Sequence, residues 1–228
     1  MKLEDFPRAV LFDLDGTLLD NSPIVIEAYY SGMEKLGYKP KNREFISSLL
    51  GNSTFEIGKA LSLKDEDLPY LDAHFWDYFG MYAEDPGYIP IIYSGVKEVL
   101  ELFYTKSVPI GICTSNRSKF ARALIKKVNL DKYITTYVGS EDVDEKKPSP
   151  KPLLLALQNL GLTKSNQKDR SLWFIGDSSP DIQAAQNAGI VSVGVPEKDK
   201  LDSVKSKNPD LLFNSMKDFY LFINQNFY

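Results

Sequence analysis

Two aspartates near the start of the chain, Asp13 and Asp15, directly follow the short apolar run Ala9–Phe12. An apolar run bounded by turn residues predicts a buried strand. The alternation of side chains would then put both carboxylates on one side of the chain, opposite Leu14. Burying two carboxylates costs free energy unless a cation offsets their charge. The pattern therefore predicts a divalent metal held by oxygen ligands, with one carboxylate oxygen left to react as a nucleophile.

A second polar segment, Thr114-Ser115-Asn116, follows another apolar run. A hydroxyl at the end of a strand, followed by backbone N–H groups that turn into a helix, can cradle a phosphate. The same tripeptide is also a common turn and helix cap, so alone it is a weak signal. Cys113 lies directly before it. Because its surroundings are apolar and no histidine is near in the sequence, we expect this thiol to be buried as a small hydrophobe.

A lysine segment and a second pair of acids complete the candidate site. Lys146 and Lys147 begin a proline-stiffened loop, Lys-Lys-Pro-Ser-Pro, that precedes a predicted helix. Asp177 and Asp181 flank the end of a predicted strand and the start of the next helix. A carboxylate at a helix N-terminus is favoured by the helix dipole, so a simple capped turn would also explain this second pair of acids.

Taken together, the four segments resemble the four motifs of the haloacid dehalogenase superfamily, in its phosphoglycolate-phosphatase-like branch. The first segment has the form Asp-x-Asp-Gly-Thr, the third Lys-Pro-x-Pro and the fourth Gly-Asp-Ser-x-x-Asp, and they occur in the family's order over residues 9–195. The resemblance implies a Mg²⁺-dependent phosphatase that hydrolyses a small phosphate monoester through an aspartyl-phosphate intermediate.

The resemblance also implies a role for each residue that matches a motif. Asp13 would be the nucleophile and Asp15 the general acid and base, a position at which dehalogenases and phosphonate-cleaving relatives lack an acid. The register of the third motif selects Lys147 over Lys146. The implied phosphate-binding residues are Thr114, Ser115, Asn116 and Lys147, and the implied metal-site residues are Asp13, Asp15 through its backbone carbonyl, Asp177, and Asp181 through the loop or a metal-bound water.

The hydrophobic pattern predicts the elements that position these residues. From Tyr93 onwards, predicted helices and strands alternate, which indicates an α/β fold: a Rossmann-like parallel sheet with helices on both faces. Ligands of such sheets bind beyond the carboxyl ends of the strands, where each motif falls. The predicted strands are 9–12, 108–113, 133–138, 172–175, 191–195 and 211–213, and the predicted helices of this part are 96–103, 118–128, 150–160, 181–187 and 216–222.

The roughly seventy residues that follow the first strand carry a purely helical pattern. The predicted helices of this segment are 22–36, 43–50, 54–61 and 65–82, with Ser22 as the first N-cap. We therefore expect a core domain of residues 1–19 and 92–228 with an inserted α-helical cap domain of residues 20–91. In resembling proteins such a cap closes over the site and its loop selects the substrate. The corresponding polar segment here is Gly51, Asn52, Ser53 and Thr54, which lacks the proline that relatives often have and could equally be an ordinary turn.

Composition narrows the possible partners. The chain has 228 residues, 43% of them hydrophobic, and a net charge of −4 with acids and bases interspersed, so we expect no nucleic-acid surface and no membrane segment. One cysteine, and a start without an apolar signal region, fit a cytoplasmic location. One histidine argues against a multi-histidine metal site and serine–histidine chemistry. The expected partner is a small-molecule phosphate ester, and the expected state is a monomer or weak homodimer.

Three alternative functions remain open on the sequence. A phosphosugar mutase similar to β-phosphoglucomutase would share the fold and the nucleophile. A signalling receiver domain also places a phosphorylatable aspartate, a threonine and a lysine at strand ends, but it would leave Asp15 and the helical insertion unexplained. A binding protein without activity is the third alternative, since fold does not determine function.

Overall fold

The computed structural model describes residues 6–50, 52–163 and 168–227. The chain divides into two compact units, one of Met1–Asp20 with Ile91–Tyr228 and the other of Asn21–Pro90. Each of these boundaries lies one residue from the boundary expected from the sequence. The smaller unit is therefore inserted in the sequence between two segments of the larger one.

The smaller unit is helical and has its own aromatic core. Tyr29 stacks on Phe75 with ring centroids 4.9 Å apart, and Phe79 stacks on Phe75 at 5.9 Å. Ser22 was predicted as a cap but is the first helical residue, with Asn21 in the cap position. The helices are α1 (Ser22–Lys35), α2 (Arg43–Ser48), α3 (Thr54–Ala60) and α4 (Leu68–Glu84), and a 3₁₀ turn at Asp65–Asp67 precedes α4.

Apolar runs form the strands of the larger unit, as their composition predicts. In the buried strands Ala9–Phe12 and Ile110–Cys113 every residue is shielded from solvent, as expected for a parallel sheet covered on both faces. The strands are β1 (Ala9–Phe12), β2 (Leu19–Asp20), β3 (Ile91–Ile92), β4 (Ile110–Cys113), β5 (Thr136–Val138), β6 (Asp169–Gly176), β7 (Ile190–Gly194) and β8 (Leu211–Leu212).

Six of these strands form one parallel sheet in the order β5-β4-β1-β6-β7-β8. The first strand of the chain lies in its middle, because Val10 is in register with Ile110 on one side and with Trp173 on the other. The predicted Rossmann-like parallel sheet is confirmed. Strands β2 and β3 form a separate antiparallel pair, which was not predicted from the sequence.

Helices cover both faces of this sheet, as predicted. Leu11 and Phe174 point to one face, where they pack in a common core with α7 and α8. Their neighbours in sequence point to the opposite face, where Phe12 and Trp173 contact Phe103 of α5 and Phe219 of α10. The helices of this unit are α5 (Val96–Thr105), α6 (Ser118–Lys127), α7 (Lys151–Asn159), α8 (Ser179–Ala188), α9 (Leu201–Lys205) and α10 (Met216–Phe227).

Element boundaries account for most of the differences from prediction. The strand predicted over 133–138 is shortened because Asp131–Tyr133 forms a 3₁₀ turn. The longest strand, β6, begins three residues before its predicted start, and α10 continues five residues past its predicted end. Helix α9 was not predicted, because five residues are too few to show a helical period. Within 6–50, 52–163 and 168–227, the structure contains no helix with both the length and the apolar character that crossing a membrane requires.

Candidate active site

The ends of three central strands bring the predicted site residues together. Asp13, Thr114 and Asp177 are the first residues after β1, β4 and β6. The parallel hydrogen bonding continues one residue past β1 and β4, because Asp13 N donates to Ile175 O at 2.9 Å and Thr114 N to Val138 O at 3.0 Å. The backbone positions of Asp13 and Thr114 are therefore fixed by the sheet, not by flexible loops.

Three carboxylates form a buried cluster at this edge, which we call the acidic triad: Asp13, Asp177 and Asp181. One carboxylate oxygen of each lies within 4.8 Å of the others, and the residues are only 6%, 1% and 0% exposed. Hard oxygen ligands in a compact group are what Mg²⁺ and similar divalent cations prefer. The donor set therefore fits a divalent cation. Asp15 is not part of the triad, but its predicted contact uses the backbone carbonyl.

Lys147 connects two members of the acidic triad. Its Nζ donates to Asp13 Oδ1 at 2.7 Å and to Asp181 Oδ1 at 2.6 Å, and also to the Cys113 carbonyl at 3.2 Å. The Lys147 side chain is 5% exposed, whereas Lys146 lies on the surface. An ammonium with three acceptors in a buried position has a fixed direction, so it can hold the Asp13 carboxylate in one orientation.

The turn after β1 is shaped around Asp177. Gly16 has φ +89°, and a Cβ there would lie 2.4 Å from Asp177 Oδ2, so both the conformation and the space require glycine. The next residue, Thr17, donates its hydroxyl proton to Asp177 Oδ1 at 3.1 Å. A threonine at this place is expected to fix the turn or to cap the next element. Its contact with Asp177 joins the first and fourth motifs directly.

Burial and charge oppose each other within the acidic triad. Burial raises the pKa of Asp13 well above its usual value; Lys147 lowers it, and the neighbouring Asp181 and Asp177 raise it further. Burial also raises the pKa of Asp177, against the effect of Lys200. Burial would lower the pKa of Lys147, but the charges of Asp13 and Asp181 outweigh this effect and raise it. Asp13 and Asp177 therefore depend on nearby positive charge to stay ionised.

Asn116 has different partners from those expected of a phosphate ligand. Its side-chain amide donates to Asp15 Oδ2 at 3.3 Å, and its backbone N–H donates to the Thr114 hydroxyl at 3.0 Å. The backbone N–H groups of Arg117 and Ser118 donate to carboxyl or amide oxygens of the protein itself. The expected cradle of N–H groups at the start of α6 is therefore largely used internally. Ser115, by contrast, is exposed to solvent.

Asp181 is held by the beginning of its own helix. Its Oδ2 accepts hydrogen bonds from the backbone N–H of Ser178 at 3.0 Å and from the Ser178 hydroxyl, while its Oδ1 faces Lys147. Ser178 and Asp181 thus form a capping box at the N-terminus of α8. Asp181 therefore has two roles in the structure, because it caps α8 and also orients Lys147, the candidate catalytic lysine.

Lys200 belongs to the site, although it was not predicted from the sequence. Its Nζ donates to Asp177 Oδ2 at 2.5 Å, and its side chain is 20% exposed. Lys200 lies in the loop between β7 and α9. A signal for it was available, because the loop after any strand of a parallel sheet begins at the same edge as the other motifs.

Cys113 does not take part in the chemistry of this site. The thiol is fully buried and donates to the Pro152 carbonyl at 3.6 Å. Burial raises the pKa of the Cys113 thiol, so the thiolate needed for nucleophilic attack is strongly disfavoured. The thiol fills space in the core, which agrees with the expectation from its apolar surroundings.

The cap residues proposed for substrate selection have contacts within the helical unit. Gly51 lies outside the described residues. The Asn52 amide donates to the Leu49 carbonyl at 2.8 Å, and Ser53 caps α3 through a reciprocal hydrogen bond with Glu56. The buried Thr54 donates its hydroxyl proton to Asp72. Asn52 is exposed, whereas Ser53 caps the start of α3 and Thr54 connects α3 to α4.

Comparison with known proteins places the chain in a family. Residues 10–195 match the model of the haloacid dehalogenase-like hydrolases. The phosphoglycolate phosphatase of Neisseria meningitidis is 30% identical over 222 residues, covering 93% of this chain and 92% of that protein. The phosphoglycolate phosphatase of Escherichia coli K12 is 29% identical over 241 residues, covering 95% of this chain and 92% of that protein.

Solved structures agree on the fold. A predicted phosphoglycolate phosphatase from Haemophilus somnus superposes with a TM-score of 0.81 and 22% identity, covering 97% of this chain and 100% of that one. At this identity the likeness concerns the fold alone. The family match, however, spans most of the chain and includes all four motifs. The chain therefore belongs to the haloacid dehalogenase-like hydrolase family.

Proposed function

We propose that this enzyme is a Mg²⁺-dependent phosphatase that hydrolyses a small phosphate monoester through an aspartyl-phosphate on Asp13. The family match and the named relatives together indicate a phosphoric monoester hydrolase. The observation that carries the mechanism is the position of Asp13. Its carboxylate is buried at the end of the central strand, 2.7 Å from the Lys147 ammonium and within the acidic triad.

In the first half of the reaction, an oxygen of Asp13 attacks phosphorus and the bond to the leaving-group oxygen breaks. Lys147 holds the Asp13 carboxylate through Oδ1, so the direction of the attacking group is set before substrate arrives. The same ammonium reduces the repulsion between the carboxylate and the incoming phosphate. The leaving oxygen departs with a proton from Asp15, which the amide of Asn116 orients.

In the second half, water attacks the phosphorus of the aspartyl-phosphate and the acyl–phosphate bond breaks, which restores Asp13 and releases inorganic phosphate. Asp15, now ionised, takes the proton from this water. Thr114 accepts a hydrogen bond from Asn116 N, so its own proton can point to a phosphoryl oxygen. We assign phosphate binding to Thr114, Ser115 and Lys147, and to Asn116 a supporting role through Asp15 and Thr114.

Asp13, Asp177 and the backbone carbonyl of Asp15 would hold the Mg²⁺ ion, with Asp181 steadying the arrangement through Lys147. The bound ion would supply positive charge against the negative charge of the transferring phosphoryl group. The substrate is proposed to resemble that of the named relatives, a small phosphorylated acid such as phosphoglycolate.

Trapping the phosphoenzyme tests this assignment. Wild-type protein, Asp13→Asn and Asp15→Asn are each mixed with substrate and Mg²⁺, quenched with acid and analysed by mass spectrometry, and free phosphate is measured in parallel. We expect Asp15→Asn to accumulate an adduct on Asp13, because water attack is slowed more than its formation. Asp13→Asn should give neither adduct nor turnover.

Each alternative outcome has a defined meaning. Retained turnover in pure Asp13→Asn protein would refute the nucleophile assignment. An adduct that persists for hours in the wild-type protein would favour a signalling receiver over a phosphatase. Isomerised sugar phosphate in place of free phosphate would identify a mutase.

A further inference from the structure

We propose that Lys200 is a built-in counter-ion of the metal site, which competes with the divalent cation for Asp177 and thereby sets how tightly the enzyme binds it. This inference rests on the proposed function, because it takes Asp177 as a metal ligand. It concerns a lysine outside the four motifs, in the segment Pro-Glu-Lys-Asp-Lys that follows β7.

The contact between Lys200 and Asp177 is short and shielded from solvent. The ammonium lies 2.5 Å from Asp177 Oδ2, and the two side chains are 20% and 2% exposed. The other oxygen of Asp177, Oδ1, accepts the hydrogen bond from Thr17. Both oxygens of this ligand are therefore engaged, so a metal ion that binds Asp177 has to share or displace one of these donors.

The backbone around Lys200 favours this position of the ammonium. Lys200 N donates to Glu197 O at 3.0 Å, which closes a turn directly before α9. The carboxylate of Glu197 accepts a hydrogen bond from the Tyr93 hydroxyl at 2.5 Å, which ties the turn to the segment after β3. Lys198, two residues earlier in the same loop, is exposed. The loop thus directs one of its two lysines into the site and the other to solvent.

Lys200 changes the net charge that a divalent cation meets at this site. Three buried carboxylates, those of Asp13, Asp177 and Asp181, face two ammonium groups, Lys147 and Lys200. With all five groups ionised, these side chains have a formal net charge of −1, so adding Mg²⁺ leaves the group positive. Without Lys200, the same ion would neutralise the group completely. Two cations that share one poorly hydrated carboxylate repel each other, and removing the lysine should strengthen binding of the metal.

Direct measurement of Mg²⁺ binding without substrate tests the proposal. Isothermal titration calorimetry would compare wild-type protein, Lys200→Met, Lys200→Gln and the control Lys198→Met. We expect both Lys200 variants to bind Mg²⁺ about tenfold more tightly, as removal of a nearby like charge implies, and the control to match wild type. The melting temperature of the Lys200 variants should fall in chelator but remain near wild type in saturating Mg²⁺. A merely structural lysine would lower both melting temperatures equally.

Unchanged or weaker Mg²⁺ binding in both Lys200 variants would overturn the inference. The variant Asp177→Asn separates this failure from failure of the metal site itself. If Asp177→Asn loses Mg²⁺ binding while the Lys200 variants match wild type, only the role of Lys200 is wrong. If Asp177→Asn binds Mg²⁺ as well as wild type does, the proposed metal site and the inference both fail.

Discussion

Replacing Lys147 with methionine should destabilise the metal-free protein far more than replacing a surface lysine that has equally short ion pairs. Lys147 lies 2.7 Å from Asp13 and 2.6 Å from Asp181, and these side chains are 5%, 9% and 0% exposed. Methionine keeps most of the length of the side chain but removes the charge. Two buried carboxylates would then lose their shared counter-ion.

The expected loss of stability comes from this burial. Removing one partner of a buried ion pair costs about 3–5 kcal/mol, because the remaining carboxylates must either keep their charge in a poorly hydrated position or take up protons. A domain of ordinary stability unfolds with only about 5–15 kcal/mol. The variant should therefore lose a large share of its stability at pH 7. Adding Asp181→Asn to Lys147→Met should recover part of the loss, since one of the two uncompensated charges is then absent.

Lys151 provides the matched control. It pairs with Asp144 at 2.8 Å and with Glu145 at 2.7 Å, but all three side chains are largely exposed. Water already solvates these charges, so Lys151→Met should change stability little. Urea unfolding in chelator at pH 7, followed by fluorescence and circular dichroism, measures both variants. Similar losses for Lys147→Met and Lys151→Met would refute the argument from burial.

Two further predictions concern other parts of the protein. Burial would raise the pKa of Asp210, but hydrogen bonds from Lys168 and Ser192 lower it; Asp210→Asn should therefore cost about 1 kcal/mol at pH 7. The Asp210 pKa is lower in the folded than in the unfolded protein, so this difference in stability should shrink as the pH falls below about 4 and vanish once the native carboxylate is protonated. A difference in the free energy of unfolding that persists in acid would contradict this prediction. If Asn52 hydrogen-bonds the leaving group, Asn52→Ala should lower kcat/KM for the best substrate about tenfold, the worth of one good hydrogen bond. Hydrolysis of an aryl phosphate should be unchanged. Equal losses on both substrates would instead indicate a disturbed fold.

The arrangement of the sheet could be predicted from the sequence because it depends on local, repeated signals. Apolar runs alternate with amphipathic segments, and the rule that ligands lie at the carboxyl ends of parallel strands then groups the motifs. Asp13, Thr114 and Asp177 follow β1, β4 and β6, and the structure brings them to one edge. The large sequence separation between these three residues does not affect this prediction, because the prediction does not depend on the order of the strands in the sheet.

The remaining features could not be predicted because they depend on side-chain partners. Nothing in the local sequence around Asn116 indicates that its amide donates to Asp15, 101 residues earlier. The position of the loop after β7 could be predicted, but nothing in the local sequence distinguishes Lys200 from Lys198, because only the turn with Glu197 directs Lys200 inward. The apolar residues Tyr133 and Ile134 predict a strand where the 3₁₀ turn before β5 ends, a case in which composition and local conformation disagree.

The position of β1 in the sheet has a consequence for the order of events during protein synthesis. Val10 pairs on one side with Ile110 and on the other with Trp173, so both neighbours of the strand that carries Asp13 leave the ribosome long after it. Bringing such distant segments together is slow, because the chain entropy of closing the loop is lost before the contacts form. Until β6 has been synthesised, β1 is an apolar strand in a partly folded chain, and at least one of its edges has no neighbouring strand to pair with. A nascent chain of this enzyme is therefore exposed to aggregation for a long time at β1, the strand that directly precedes Asp13.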